Sequence, residues 1–307
     1  MLTRFAPAPT GWLHLGHVLN AEHVWGFMEP ASPKLPEQRR RVILRIEDHD
    51  RERCRPEYEA GILDDLEWLG YRADFPLVRQ SERDAIYREA VDVLASRGLV
   101  YVCNCSRKEI ESRTDDRGAL ARRSLGEGGR TDRSSILEPR SSELRYSGQC
   151  RDRGLTLTDG VGWRVRMDPG VERFLDGIMG PQEQDPSLQC GDLLIRDRLG
   201  NWTYQFAVAV DDDRQGIDLV IRGEDLLPST GRQIRLARLL GREQAARFRH
   251  HPLIMKSPDQ KLSKSDGATG IRDLCARGWT SEQVKAAARA SSAQTNSATD
   301  EHRTTQF

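Results

Sequence analysis

The sequence has 307 residues, with 47 basic and 47 acidic side chains and a formal net charge of zero. A composition of 37% hydrophobic and 31% charged residues is typical of a globular protein, and no apolar run approaches the roughly 18 residues that span a bilayer. Six cysteines are too few for a disulfide scaffold, and the N-terminus lacks the apolar segment of an export signal. We therefore expect a cytoplasmic protein with no membrane association.

Strand-like and helix-like segments alternate through the first hundred residues. The patterns predict strands at Leu2–Phe5, Val42–Ile46 and Leu99–Val102, and helices at about Leu15–Met28, Pro56–Leu69 and Ser81–Arg97. Pro56 suits a first helical turn and Gly70 ends the same helix. This alternation favours an α/β core with a mostly parallel, Rossmann-like sheet.

The alternation is interrupted and then resumes, which predicts a sheet split by an insertion. We assign residues 1–102 to the first half of the α/β domain and 103–190 to the insertion. Within the insertion, 111–145 is too polar to fold alone and is predicted to be a flexible loop. Residues 191–240 form the second half, with a strand at Leu193–Arg196. Residues 241–307 hold a lysine-rich loop and a short helical part that includes a helix over Ser281–Ala290.

A Pro/Gly loop runs directly into the first predicted helix and carries two histidines. His14 and His17 are three residues apart, so their imidazoles lie on one face at the helix N-terminus. Free N–H groups and a partial positive charge make such a terminus suitable for phosphate, and Gly16 leaves room for a base or ribose. The alternative is a pair of surface histidines beside a helix cap.

Lysine is rare in this chain, and three of its six lysines lie within nine residues of one another, at 256, 261 and 264. The segment Lys261-Leu262-Ser263-Lys264-Ser265 is followed by Asp266 and Gly267, a composition typical of a mobile loop. Its lysines would stabilise a polyphosphate as charge develops on the leaving group. A solvated basic loop is the alternative interpretation.

Four motifs, named here in chain order, resemble those of the class I aminoacyl-tRNA synthetases, which activate an amino acid with ATP. The segment Arg4–His17 is similar to the opening of the glutamate-specific members, and Leu44–Asp48 resembles their next signature. Ala209–Asp213 and Val220–Leu227 complete a resemblance that covers nearly all of residues 1–270. It implies that glutamate and ATP are substrates and that Mg²⁺ enters with ATP.

The resemblance also implies roles for individual residues. Arg4 and Arg222 hold substrate carboxylates, Glu47 pairs with the α-ammonium group, and Tyr204 closes the pocket. The implied glutamate-binding set is Arg4, Phe5, Ala6, Pro7, Ala8, Glu47, Tyr204 and Arg222; the ATP-binding set is His14, Gly16, His17 and Lys264; the catalytic set is His14, His17, Lys261 and Lys264. The family commonly has serine where this chain has Ala8, so one hydroxyl contact is missing. Structural ion pairing is the alternative for the charged residues.

Cys103 and Cys105 form a Cys-x-Cys pair, and Cys150 is the next cysteine along the chain. Closely spaced thiolates with a third soft ligand supply most of a tetrahedral zinc site. The resemblance adds Tyr146, because small glutamate-activating homologues carry a Cys-x-Cys…Tyr-x-x-x-Cys site; it implies one structural Zn²⁺ held by Cys103, Cys105, Tyr146 and Cys150. Free cysteines are the alternative.

Only 42 residues follow Ser265, fewer than a domain of about 50 residues needs. The chain is therefore expected to be a catalytic core without an anticodon-binding domain. Separately, we expect it to be a monomer. That architecture resembles the branch of the family that activates glutamate without tRNA and attaches it to queuosine, the modified wobble base of tRNA(Asp). A minimal synthetase that charges tRNA(Glu) and a non-catalytic tRNA-binding paralogue remain alternatives.

Overall fold

The computed structural model describes residues 1–26, 40–112, 144–257, 260–261 and 270–291. Its strands are β1 (Leu2–Phe5), β2 (Arg41–Ile46), β3 (Val78–Arg79), β4 (Val100–Cys103), β5 (Gly162–Val165), β6 (Glu172–Asp176), β7 (Gly180–Gln184), β8 (Leu193–Arg196), β9 (Leu219–Gly223), β10 (Arg247–His251), β11 (Met255–Ser257) and β12 (Gln260–Lys261). Its helices are α1 (Leu15–Val24), α2 (Pro56–Leu69), α3 (Asp84–Ser96), α4 (107–112), α5 (Pro186–Gln189), α6 (Tyr204–Arg214), α7 (Thr230–Leu239), α8 (Ile271–Ala276) and α9 (281–291). Short 3-10 turns precede α3 and α7.

Two sets of parallel strands form the predicted α/β core. Strands β1, β2 and β3 pair in that order, and β9, β10 and β6 pair in that order with β7 antiparallel at the edge. The sets meet at β1 and β9, where the Asp218 N–H donates to the Leu2 carbonyl oxygen at 2.9 Å. The chain thus leaves the parallel sheet after β3 and returns to it at β6 and β9, as a split sheet requires.

A smaller, separate antiparallel sheet has the strand order β4-β5-β8. The predicted strand at Leu99–Val102 is present as β4 and belongs to this sheet. It pairs with β5 at residues 162–165, and β5 pairs in turn with β8 at residues 193–196. The antiparallel sheet therefore draws strands from the segments predicted as first half, insertion and second half. The predicted loop at 111–145 lies almost entirely outside the described residues.

The helix predictions agree with the structure where local signals are strong. Helix α2 begins at Pro56 and ends at Leu69, because Gly70 adopts the left-handed conformation with φ of 79°. Helix α1 ends at Val24, four residues before the predicted end. The α9 helix packs on the same core as β1, β2 and α1, where Val284 and Ala288 are fully buried.

Candidate active site and cysteine cluster

An open cavity of about 680 Å³ lies at the carboxyl ends of β1, β2 and β9, where ligands bind in open parallel sheets. The strands end at Phe5, Ile46 and Gly223, so the residues beyond them converge on this cavity. All the predicted glutamate-binding residues and the histidine motif line it: Arg4, Phe5, Ala6, Pro7, Ala8, His14, Gly16, His17, Glu47, Tyr204 and Arg222. The structure therefore brings together two sets of residues that are some two hundred positions apart in sequence.

The two histidines cap α1 reciprocally. The Nδ1 of His14 accepts from the Gly16 N–H at 3.1 Å, and the Nδ1 of His17 accepts from the His14 N–H at 3.1 Å. Their ring centroids are 4.0 Å apart. Because both Nδ1 atoms accept, a neutral imidazole at either position carries its proton on Nε2. The sequence placed these residues on one face but gave no sign that each fixes a backbone N–H.

Gly16 is required by this cap. A Cβ at position 16 would lie 2.9 Å from the Cε1 and 3.1 Å from the Nδ1 of His14. Any side chain would therefore push the imidazole out of its capping position. Gly16 also lines the cavity, and the predicted approach of a base or ribose to this residue stays a prediction.

A buried ion network supports the cavity floor. Arg4 Nε donates to Asp212 at 3.1 Å, and the fully buried Arg45 donates to the same carboxylate at 2.9 Å. Arg45 also contacts Glu47 at 3.4 Å and Asp211 at 3.8 Å. Burial raises the pKa of Glu47, although Arg45, His49 and Arg4 oppose this shift. Sequence reasoning missed Arg45 as a partner, although it stands inside the quoted motif Leu44–Asp48.

Arg222 is held from three sides. Its Nε donates to His250 Nε2 at 3.0 Å, its Nη1 to Gln233 at 2.7 Å and its Nη2 to Thr230 Oγ1 at 2.9 Å. The Tyr204 side chain also contacts the guanidinium, and both residues line the cavity. A guanidinium fixed in this way is preorganised for a carboxylate, since its donors match both oxygens.

The lysine motif is described only in part. Lys261 belongs to β12, where its backbone pairs with that of Met255 in a two-stranded antiparallel sheet. Lys264 lies outside the described residues. Where the described chain resumes, Gly270 forms a β-bridge with His14, and the Ile271 N–H donates to the Leu13 carbonyl oxygen at 3.0 Å. The described residues that follow the lysine segment are thus attached to the histidine motif.

The predicted cysteine residues also meet, about the antiparallel sheet. The sulfur atoms of Cys103, Cys105 and Cys150 lie within 4.8 Å of one another, and those of Cys105 and Cys150 are 3.6 Å apart. The Tyr146 hydroxyl is 3.8 Å from the Cys105 sulfur and accepts from the Cys150 N–H at 3.1 Å. Burial would raise the pKa of Cys150, but hydrogen bonds from Tyr146, Cys105 and other neighbours lower it to about 7.

This arrangement fits a tetrahedral metal ion. Sulfur ligands about 2.3 Å from zinc lie roughly 3.8 Å apart, close to the separation of the Cys105 and Cys150 sulfurs. A third buried cysteine, Cys190, lies nearby but instead contacts the Pro186 carbonyl oxygen at 3.3 Å. Gly191 allows the Tyr146 backbone to approach, because a Cβ there would lie 1.8 Å from the Tyr146 carbonyl oxygen.

A second open cavity, of about 1260 Å³, lies beside the cysteine cluster. Cys103 and Cys105 line one part of it, and Gln205 and Asp225 line another. Asp225 also lines the first cavity, so the two spaces adjoin at this residue.

Comparison with known proteins identifies the family. The model described as "tRNA synthetases class I (E and Q), catalytic domain" matches residues 1–289. The chain belongs to this family, and it is a ligase. The structure confirms the parallel-sheet α/β fold expected of it. Among the described residues, no helix is long and apolar enough to cross a membrane.

Several curated relatives are similar over most of the chain. A glutamyl-Q tRNA(Asp) synthetase of Rhodobacter capsulatus is 36% identical over 297 residues, which cover 93% of this chain and 98% of that protein. The enzyme of the same name from Bordetella bronchiseptica is 39% identical over 87% of this chain and 76% of its own. A glutamate–tRNA ligase of Synechococcus sp. is 36% identical over 92% of this chain and 56% of its own.

A solved glutamate-tRNA synthetase from Elizabethkingia anophelis shares the fold, with a TM-score of 0.66 and 26% identity over 91% of this chain. The present chain spans about half of that structure, 54% of its length.

Proposed function

We propose that this chain activates L-glutamate with ATP, without tRNA, and transfers the glutamyl group to queuosine at the wobble position of tRNA(Asp). In the first step an α-carboxylate oxygen of glutamate attacks the α-phosphorus of ATP, and the bond to the leaving pyrophosphate breaks. The products are glutamyl-adenylate and pyrophosphate. In the second step a hydroxyl of queuosine attacks the activated carbonyl, and AMP leaves.

The charges around the first cavity support glutamate as the amino acid. Arg4 and Arg222 supply guanidinium groups for two carboxylates, and Glu47 supplies a carboxylate for the ammonium group. Tyr204 closes the pocket beside Arg222. Glutamate carries two negative charges and one positive charge at neutral pH, so this set of residues is complementary to it.

The N-terminus of α1 supports the ATP site. His14 and His17 would donate Nε2–H groups to phosphate oxygens as pyrophosphate leaves, and Gly16 lines the adjacent cavity wall. Lys261 and Lys264 would add positive charge at the β- and γ-phosphates, with Mg²⁺ arriving bound to ATP. No protein nucleophile is needed, because positioning and electrostatic stabilisation suffice for in-line phosphoryl chemistry.

The activation step is tested by ATP–pyrophosphate exchange in the absence of tRNA. We expect exchange that depends on L-glutamate, with little exchange on L-glutamine, because the two arginines require a carboxylate at each end. Exchange with glutamine at a similar rate would contradict the amino-acid assignment. Absence of exchange with every amino acid would favour a non-catalytic paralogue.

The acceptor assignment comes from the relatives. Proteins named for glutamyl-Q tRNA(Asp) synthesis align with this chain over 76% and 98% of their own lengths, and this alignment carries the proposal. The second cavity, which adjoins the first at Asp225, would admit the acceptor nucleoside towards the adenylate. The Synechococcus ligase favours the competing acceptor, the 3′ end of tRNA(Glu).

We also propose that Cys103, Cys105, Tyr146 and Cys150 hold one structural Zn²⁺. Changing Cys103 to serine would remove one thiolate and lower the bound zinc well below one ion per chain, measured by elemental analysis of purified protein. Cys190→Ser is the matched control, because this buried cysteine contacts carbonyl oxygens outside the cluster. Equal zinc content in all three proteins would contradict the ligand assignment.

A further inference from the structure

A buried chain of hydrogen bonds runs from Asp176, at the end of β6, to Arg222. The Nδ1 of His250 lies 2.6 Å from Oδ2 of Asp176, and its Nε2 lies 3.0 Å from Nε of Arg222. The three side chains are almost completely buried, with 0% of His250, 2% of Asp176 and 4% of Arg222 exposed. They stand on three neighbouring parallel strands, β6, β10 and β9.

The hydrogen-bond partners determine the tautomer of His250. An arginine Nε–H can only donate, so Nε2 of His250 must accept, and the proton of the neutral ring must lie on Nδ1, facing Asp176. The Thr230 hydroxyl, 3.2 Å from the same Nε2, accepts from Arg222 and is free to donate to the ring. Burial and the charges of Arg222 and Arg4 lower the pKa of His250, whereas Asp176 raises it. The pKa is lowered on balance, and this favours the neutral ring.

Asp176 is itself fixed. Its Oδ1 accepts from three backbone N–H groups, those of Ile178 and Met179 at 2.9 Å each and that of His250 at 3.2 Å. Only Oδ2 is directed at the imidazole. The carboxylate therefore cannot rotate to exchange its two oxygens without breaking the turn between β6 and β7.

We propose that His250, held in its Nδ1–H tautomer by Asp176, is a positioning residue that fixes the Arg222 guanidinium for the glutamate carboxylate. The inference rests on the proposed function, in which Arg222 binds glutamate. With Nε, Nη1 and Nη2 each donating one N–H to His250, Gln233 and Thr230, the plane of the guanidinium is set before substrate arrives. Preorganisation of this kind lowers the KM for glutamate and leaves ATP binding unchanged.

The substitution Asp176→Asn separates positioning from packing. The three backbone donors require an oxygen at the Oδ1 position, so the amide nitrogen must take the Oδ2 position and point its hydrogen at His250 Nδ1. The ring then has to place its own proton on Nε2, where it opposes the Arg222 Nε–H. Shape and volume are conserved, but the hydrogen bond from Arg222 Nε to His250 Nε2 becomes a donor–donor contact. Replacing the aspartate of an Asp–His pair by asparagine is known to select the wrong histidine tautomer in the same way.

We expect Asp176→Asn to raise the KM for glutamate about tenfold or more in ATP–pyrophosphate exchange, with the KM for ATP and kcat changed by less than about threefold. Asp185→Asn is the matched control: it makes the same chemical change at the cap of α5, where Asn caps equally well and Arg222 is not contacted. Arg222→Lys reports on the proposed function itself.

The outcomes distinguish the two claims. If Arg222→Lys raises the glutamate KM and Asp176→Asn does not, the positioning role is overturned and the proposed function stands. If neither variant changes it, the role of Arg222 is wrong and the inference fails with it. If Asp176→Asn raises the KM for glutamate and the KM for ATP equally, Asp176 has a purely structural role and the proposal is overturned.

The tautomer of His250 can also be measured on the unmodified protein, without any Asp176 variant. In ¹⁵N-histidine-labelled protein, correlation spectra of the ring nitrogens distinguish protonated from unprotonated nitrogen, and His250→Gln assigns the signal by its loss. We expect His250 to carry its proton on Nδ1 at neutral pH. A proton on Nε2, or a doubly protonated ring, would overturn the proposal.

Discussion

At the scale of single residues, the charged groups of the first cavity depend on partners behind them. Arg4 is bonded to Asp212, Glu47 to Arg45, and Arg222 to His250. Each partner is at least nine-tenths buried. Buried partners of this kind set both the orientation and the ionisation of the groups that face the substrate.

Glu47 gives a prediction about pH. Its carboxylate must be ionised to bind the substrate ammonium, and burial raises its pKa. The KM for glutamate should therefore rise as pH falls through this raised pKa, at a higher pH than an ordinary carboxyl group would cause. Measuring the KM between pH 5 and pH 8 tests this.

The matching variant is Glu47→Gln, which should raise the glutamate KM about tenfold or more and remove the acidic dependence. Glu59→Gln, which breaks only a partly exposed pair with Arg79, should retain the profile of the unmodified enzyme. An unchanged acidic limb in Glu47→Gln would assign the titration to another group.

Gly16 gives a prediction about catalysis. In Gly16→Ala the new Cβ would displace His14 from its cap, so we expect kcat to fall about tenfold or more while the KM for glutamate changes little. Gly98→Ala serves as control, since its positive φ of 68° makes alanine destabilising by about 1 kcal/mol at a site with no neighbour within 4 Å. A normal kcat in Gly16→Ala would show that the cap geometry is unimportant.

The residues of the first cavity could be predicted because their motifs are contiguous and resemble a known family. Their partners could not, because they are distant in sequence. Asp212 is 208 residues from Arg4, and Asp176 is 74 residues from His250 in a strand with no motif. Only the pairing of β6 with β10 and of β10 with β9 brings the last pair towards Arg222.

At the scale of elements, local capping signals were enough for α2, where Pro56 and Gly70 mark both ends. The strand at Leu99–Val102 was also correct in position. Its sheet could not be inferred, since its partner β5 lies about 60 residues further along the chain, and pattern alone does not specify a distant partner.

The buried carboxylate of Glu22, which connects α1 to α9, gives a prediction about stability. Glu22 of α1 is fully buried and accepts from the Tyr71 hydroxyl and from Arg289 of α9. Tyr71→Phe leaves this carboxylate with one donor fewer, so we expect the free energy of unfolding to fall by about 1–3 kcal/mol in urea titrations.

Tyr58→Phe is the comparison, because the Tyr58 hydroxyl makes no hydrogen bond within the described part of the chain, and its ring packs on Trp12. Its stability should stay within about 0.5 kcal/mol of the unmodified protein. Equal stability of Tyr71→Phe and Tyr58→Phe would show that the buried Glu22 does not depend on this hydroxyl.

At the scale of the whole molecule, the split sheet explains why distant motifs form one cavity. The chain leaves the parallel sheet after β3, builds the antiparallel sheet and the cysteine cluster, and returns at β6 and β9. Alternation of strands and helices made this arrangement predictable. The predicted boundaries at 102, 190 and 240 remain predictions. The second cavity was not predicted, although Cys103, Cys105 and Asp225 of the sequence motifs line it.

The most direct test of the account is transfer of labelled glutamate to three purified RNAs in parallel: tRNA(Asp) containing queuosine, tRNA(Asp) lacking it, and tRNA(Glu). We predict label on the queuosine-containing tRNA(Asp) alone, in a linkage retained when the 3′ end is removed. Label on tRNA(Glu) in place of tRNA(Asp) would contradict the account and make this chain a synthetase for tRNA(Glu).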